Sequence, residues 1–172
     1  MKKKGQVFSM DFISSIVPFL FILTLILLIW FNINYKIGQR ENNLEIQNKI
    51  TSLSEILIKT EGNPKNWENP IIQENEIKSL GLALNDNVVD SEKFFRLMEL
   101  DYIPVRKKLG IPRFQLFLGL YDKDGQVIEL DGTGMVYGVY PPENEEKYSI
   151  TRFVVLEHNG ERELASLKVI LW

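Results

Sequence analysis

Hydrophobic and polar positions divide the chain into three stretches with different periods. Residues Phe12 to Ile33 read "FISSIVPFLFILTLILLIWFNI", about 22 residues without a charge, long enough as a helix to cross a hydrocarbon core of ~30 Å at ~1.5 Å per residue. Next, Ile46, Ile50, Leu53 and Leu57 recur at i, i+4, i+7 and i+11, the single stripe of an amphipathic helix. Arg40, Glu41, Glu45 and Lys49 decorate its other faces. One helix is therefore expected from the apolar run to Lys59. The alternative is two helices broken near Gly38, since a mid-helix glycine costs roughly 1 kcal/mol. "EGNPKNWENP", Glu61 to Pro70, supplies the turn formers that end it. Trp67 in that loop is expected to plug the core rather than stack on a ligand.

A short helical region follows in "DSEKFFRLMEL". Asp90 is its expected N-cap, and Phe94, Phe95, Leu97 and Met98 are its core contacts. Pro104 restarts it as a short piece through Leu109, closed by Gly110 and Pro112. From Arg113 the period falls to two, with Phe114, Leu116, Leu118 and Leu120 alternating with Arg113, Gln115 and others. Asp124-Gly125 and Asp131-Gly132 predict tight turns with short strands after each. "TRFVVLEHNGERELASLKVILW" predicts a hairpin about Asn159-Gly160, with Ala165, Leu167, Val169 and Leu171 on its apolar face. Helices followed by consecutive strands argue for an α+β fold. A long N-terminal helix packs on a C-terminal antiparallel sheet, a meander, with a second short helical region between.

Charge fixes the orientation of the apolar run. Lys2, Lys3 and Lys4 precede it, so the N-terminus stays cytoplasmic and residues beyond about Asn34 face outward. Trp30 and Tyr35 mark the far interface. A cleaved secretory signal is the alternative, but the run is long for one and no small-x-small site follows. Pro18 inside the run kinks or loosens the helix locally. The net charge is −3; without the three leading lysines the 20 basic residues fall to 17 against 23 acidic ones, a balance of −6. No nucleic-acid partner is expected of such an acidic body. The chain has no cysteine, which excludes disulfides, thiol catalysis and cysteine-held metals.

The start of the chain carries a more specific pattern. "KKKGQVFSMDF" sets three lysines and Gly5 before Gln6, then Ser9 and Asp11, directly ahead of the apolar run. This resembles the class III signal peptides of archaeal type IV pilin-like proteins. The usual archaeal motif has Ser two residues after Gln and Glu two further on. Here Ser9 and Asp11 each stand one residue farther from Gln6. The resemblance covers about the first 35 residues. It implies cleavage between Gly5 and Gln6 by a prepilin-type signal peptidase at the cytoplasmic face, with the helix retained. It implies a leader of residues 1–5, a transmembrane helix of 6–35 and an extracytoplasmic head of 36–172 that includes a stalk helix of 36–59. It also implies a surface filament of like subunits packed through their apolar helices, with Asp11 pairing with the new terminal amine of a neighbour. The plainer reading leaves Asp11 wet at the cytoplasmic interface.

Signs of other chemistry are sparse. His158, the single histidine, is expected as a solvated turn residue, without companions for metal binding or base catalysis. No nucleophile elbow, phosphate loop or dinucleotide fingerprint occurs, so no enzyme and no cofactor is expected. "DKDGQVIE" lacks full EF-hand spacing, and Asp122 and Asp124 read as turn formers, with a weak calcium clip as the alternative. "ENEEK", Glu143 to Lys147, is expected as an exposed loop. The leading expectation is thus a filament subunit, major or minor. The alternative is a single-pass anchored module that binds a partner outside and never polymerises.

Overall fold

The computed structural model describes residues 10–172, with side-chain surroundings for all of these except 10–13 and 39–42. The protein is α+β. Helix α1 runs Met10–Lys59 and passes Gly38 without a break. Its apolar N-terminal part and the head divide into separate compact units, the second being Glu45–Trp172.

In the head, the predicted stripe is the face of α1 that enters the core. Ile50, Leu53, Leu57 and Ile58 are buried, and Ile46 packs at the edge. They meet a six-stranded sheet in the order β1-β2-β7-β8-β3-β6. The strands are β1 (Ala83–Asn85), β2 (Val88–Asp90), β3 (Leu116–Tyr121), β6 (Val136–Gly138), β7 (Tyr148–His158) and β8 (Glu161–Leu171). A separate hairpin joins β4 (Glu129–Leu130) to β5 (Thr133–Gly134). Between β2 and β3 lie α2 (Ser91–Glu99) and α3 (Tyr102–Lys108). Asp90 caps α2 as expected, its carboxylate accepting from the Glu92 amide at 2.9 Å. Phe94 and Leu97 are buried, with Phe95 and Met98 packed beside them.

The long hairpin forms as its turn residues dictate. Asn159 and Gly160 both adopt positive φ, 52° and 83°, which a two-residue type I′ turn requires. Every pair from Tyr148–Leu171 to His158–Glu161 is then in register. Ala165, Leu167, Val169 and Leu171 face the core. Asp131-Gly132 makes the same kind of turn between β4 and β5.

Two expectations need correction. The sheet is not a simple antiparallel meander. β8 pairs with the distant β3, and β2 lies parallel to β7, because the chain passes through α2, α3 and the strands β3 to β6 before it returns beside β2. β3 also does not alternate, since Leu116 through Leu120 are all buried. The second face of β3 is covered by two rings. Tyr140 packs edge-on against Phe117, ring centroids 4.9 Å apart, and Tyr121 folds back over Gly119, where a Cβ would come within 2.8 Å of that ring.

Two buried polar side chains tie the loops to this core. Trp67 is fully buried, and its Nε1 donates to the Gly81 carbonyl at 2.9 Å. Lys93 on α2 is only 3% exposed. Its Nζ donates to the carbonyls of Glu61, just beyond α1, and of Ala83 on β1, both at 2.9 Å. Burial lowers its pKa from the ordinary 10.5, opposed chiefly by the charge of Glu68.

Candidate membrane and assembly segment

From Val17 to Ile37 the large apolar side chains of α1 are exposed on every face, Phe19 at 61% and Phe31 at 62% among them. A helix apolar all round needs an apolar medium, either lipid or other helices. The segment is long and apolar enough to cross a membrane. Two of its polar side chains turn back on their own backbone: Thr24 Oγ1 donates to the Leu20 carbonyl at 2.8 Å and Asn34 Nδ2 to the Trp30 carbonyl at 2.9 Å. That satisfies groups that hydrocarbon leaves without partners. Pro18 lies inside the helix and has no N–H to give to the Ser14 carbonyl four residues back. Trp30 stands edge-on to Phe31 at 5.2 Å. With Tyr35 it marks the end of the apolar stretch, where amphipathic rings favour an interface.

Of the residues singled out in the sequence, Lys2, Lys3, Lys4, Gly5 and Gln6 lie outside the described residues. Asp11 falls within α1, but its side chain is also outside them.

The head's candidate residues are all in view. Asp122 serves its turn, its Oδ1 accepting from the amides of Asp124 at 2.8 Å and Gln126 at 2.9 Å. Among the described residues no three His, Asp or Glu gather into a metal-binding group. Glu143 to Lys147 form an exposed loop. His158 departs from expectation. It ends β7 and is half-buried, because residues distant in the chain close over it. Its Nδ1 lies 3.0 Å from Ser91 Oγ, its Nε2 3.0 Å from Asn159 Nδ2, and Asp131 Oδ2 is 3.9 Å away. Ser91 is itself buried, so this Ser, His and Asp grouping offers a substrate no open nucleophile.

Sequence reasoning missed two surface features of the head. One is the outward pair Phe153 and Leu164. Strict alternation with the buried Val154 and Ala165 is the signal that places them on the other face of the ribbon. The other is a groove of ≈ 320 Å³ between α1 and the Leu109-Gly110 turn; it had no sequence signal, because it arises from the spacing of two elements. Comparison with protein-family models, curated proteins and solved structures finds no match for this chain.

Proposed function

We propose that the protein is a type IV pilin-like subunit, archaeal in type, that a prepilin-type peptidase processes and that polymerises through its apolar helix into a cell-surface filament. The change in character along α1 is the observation that carries this reading. The helix is apolar and bare on all sides through its first half, and its last turns belong to the core of a folded head. A subunit with that helix inserts into a bilayer while it waits and packs into a helical bundle when it assembles.

The leader sequence supports a switch between those two states. Three lysines oppose withdrawal of the helix from the bilayer, because charge crosses hydrocarbon at high cost. Cleavage between Gly5 and Gln6 exchanges them for one ammonium. Asp11 then enters an apolar bundle, where an unpaired carboxylate is costly, and the neighbouring Gln6 amine neutralises it. A terminal glutamine that cyclises loses that charge and with it the pairing. The partners are other subunits of this kind, the membrane and the peptidase; the head faces outward.

Mechanical shearing of cells tests the proposal. A filament subunit appears in the sheared, sedimentable surface fraction. If the chain remains wholly in the membrane after shearing, the anchored, non-polymerising module is the correct reading.

A further inference from the structure

The β4–β5 hairpin is held at its base by the backbone and at its tip by side chains. At the base, the Ile128 amide donates to the Leu120 carbonyl of β3 and the Leu120 amide to the Met135 carbonyl, both at 2.9 Å. The two strands form a sheet of their own. Among the described residues, no backbone bond ties Glu129 to Gly134 to any other element. Half-buried Leu130 packs on the core, and the next residue, Asp131 in the turn, reaches His158 at the end of β7.

His158 stands where three elements meet. Its Nδ1 lies 3.0 Å from Ser91 Oγ at the start of α2, its Nε2 lies 3.0 Å from Asn159 Nδ2, and the Phe95 ring is 6.4 Å away between centroids. An amide nitrogen only donates. In the neutral ring, therefore, Nε2 accepts from Asn159 and Nδ1 gives its proton to Ser91 Oγ. That ring has no donor left for Asp131. A second proton, on Nε2, reverses the arrangement. The Asn159 amide must turn to present its oxygen or move away, and a charged donor then stands 3.9 Å from the Asp131 carboxylate.

We infer that His158 and Asp131 form a pH-operated clasp on the β4–β5 hairpin, closed while the ring is charged and open when it is neutral. The sign follows from the charges. Only the protonated ring attracts Asp131, so the tie is present at low pH and is lost as pH rises. Histidine makes this change between about pH 5 and 8, and His158 is the single histidine of the chain. The neighbouring elements bring other charges. Glu157 on β7 is already held by Arg162 of β8 at 3.0 Å, and Asp90 before α2 already accepts from the Glu92 amide. Glu92 and Glu161 are exposed. Among the described residues, Asp131 is the one carboxylate within 4.0 Å of the ring nitrogens. Opening the clasp frees the tip to lift from the core with Leu130. The device belongs to the head alone and stands apart from the filament reading.

Hydrogen exchange of the full chain in detergent, read by mass spectrometry on the peptide that spans Ile128 to Met135, tests the clasp at about pH 5.5 and 7.5. Wild type is compared at each pH with Asp131→Asn and His158→Gln, which cancels the pH dependence of amide exchange itself. Asn suits the turn, because it tolerates the positive φ of 51° that Asp131 adopts. Fluorescence of the buried Trp67 checks that each variant is folded. At the lower pH the hairpin is expected to exchange roughly two- to five-fold more slowly in wild type than in either variant, the scale of a partly exposed ion pair. At the higher pH the three chains are expected to match. Equal exchange in wild type and Asp131→Asn at the lower pH overturns the clasp, whatever His158→Gln shows. A difference of the same size at both pH values means that the contact does not depend on the proton and overturns it equally.

Discussion

Replacing Lys93 with Met tests how the end of α1 is held to the head. Met matches the length of the lysine stem but donates nothing. The carbonyls of Glu61 and Ala83 each lose a charge-assisted donor at 2.9 Å. An orphaned buried carbonyl costs about 1–3 kcal/mol. The Glu61 site is only partly buried, and removing a buried ammonium recovers some desolvation cost. The net expectation is a loss of roughly 2–3 kcal/mol. For a domain of this size that lowers Tm by about 10 °C. Tryptophan fluorescence of the full chain in detergent, followed through thermal or urea unfolding, reads the change, because the fully buried Trp67 lies in the loop that Lys93 clamps. A pH series adds a signature of the charge. Burial lowers the folded-state pKa of Lys93 below 10.5. In the window just below 10.5 the unfolded chain binds the proton more readily than the folded one, so this residue makes wild-type stability rise with pH. The variant lacks that rise, and its deficit widens toward pH 10.5. A variant as stable as the wild type, or more so, would refute the reasoning, since hydrophobic packing would then outweigh both lost bonds.

Three further changes probe other parts of the account. Tyr137 is buried and its pKa is raised above the ordinary 10.0, chiefly by desolvation. Its contribution is present below pH 10 and lost as pH rises toward the folded value, so Tyr137→Phe should flatten the alkaline fall in urea midpoint. Leu57→Ala removes a fully buried side chain and should cost the head about 2–5 kcal/mol by calorimetry, while carbonate extraction still finds the chain in the membrane. Asp11→Ala, with insertion unchanged, should sharply reduce the sheared filament fraction; an undiminished yield would dismiss the pairing role.

The features legible in the sequence are those set by local rules. The stripe Ile46, Ile50, Leu53 and Leu57 shows because one helix face meets one core. Asn159-Gly160 shows because few residues tolerate two successive positive φ values. Asp90 shows because a carboxylate before an apolar helical run has amides to accept from. What stayed hidden depends on distant partners. "VVD" of β2 is too short to carry a period, and its parallel pairing with β7 joins Val88 to Val155. The double burial of β3 comes from Tyr140 and Tyr121, whose rings no alternation rule assigns. His158 reads as a turn residue until Ser91 and Asp131 close around it. Lys93 carries no sequence signal of burial, and the two carbonyls that hold it belong to Glu61, beyond the end of α1, and to Ala83 on β1.

The processing step of the filament proposal rests on the leader, residues 1–5, so the most direct measurement is of the chain's own start. Intact-mass analysis and N-terminal sequencing of protein from its native membrane determine whether residues 1–5 are removed. The account predicts a mature chain that begins at Gln6, free or cyclised, with the apolar helix retained. A chain that still begins at Met1 or Lys2, with the lysines in place, would contradict it.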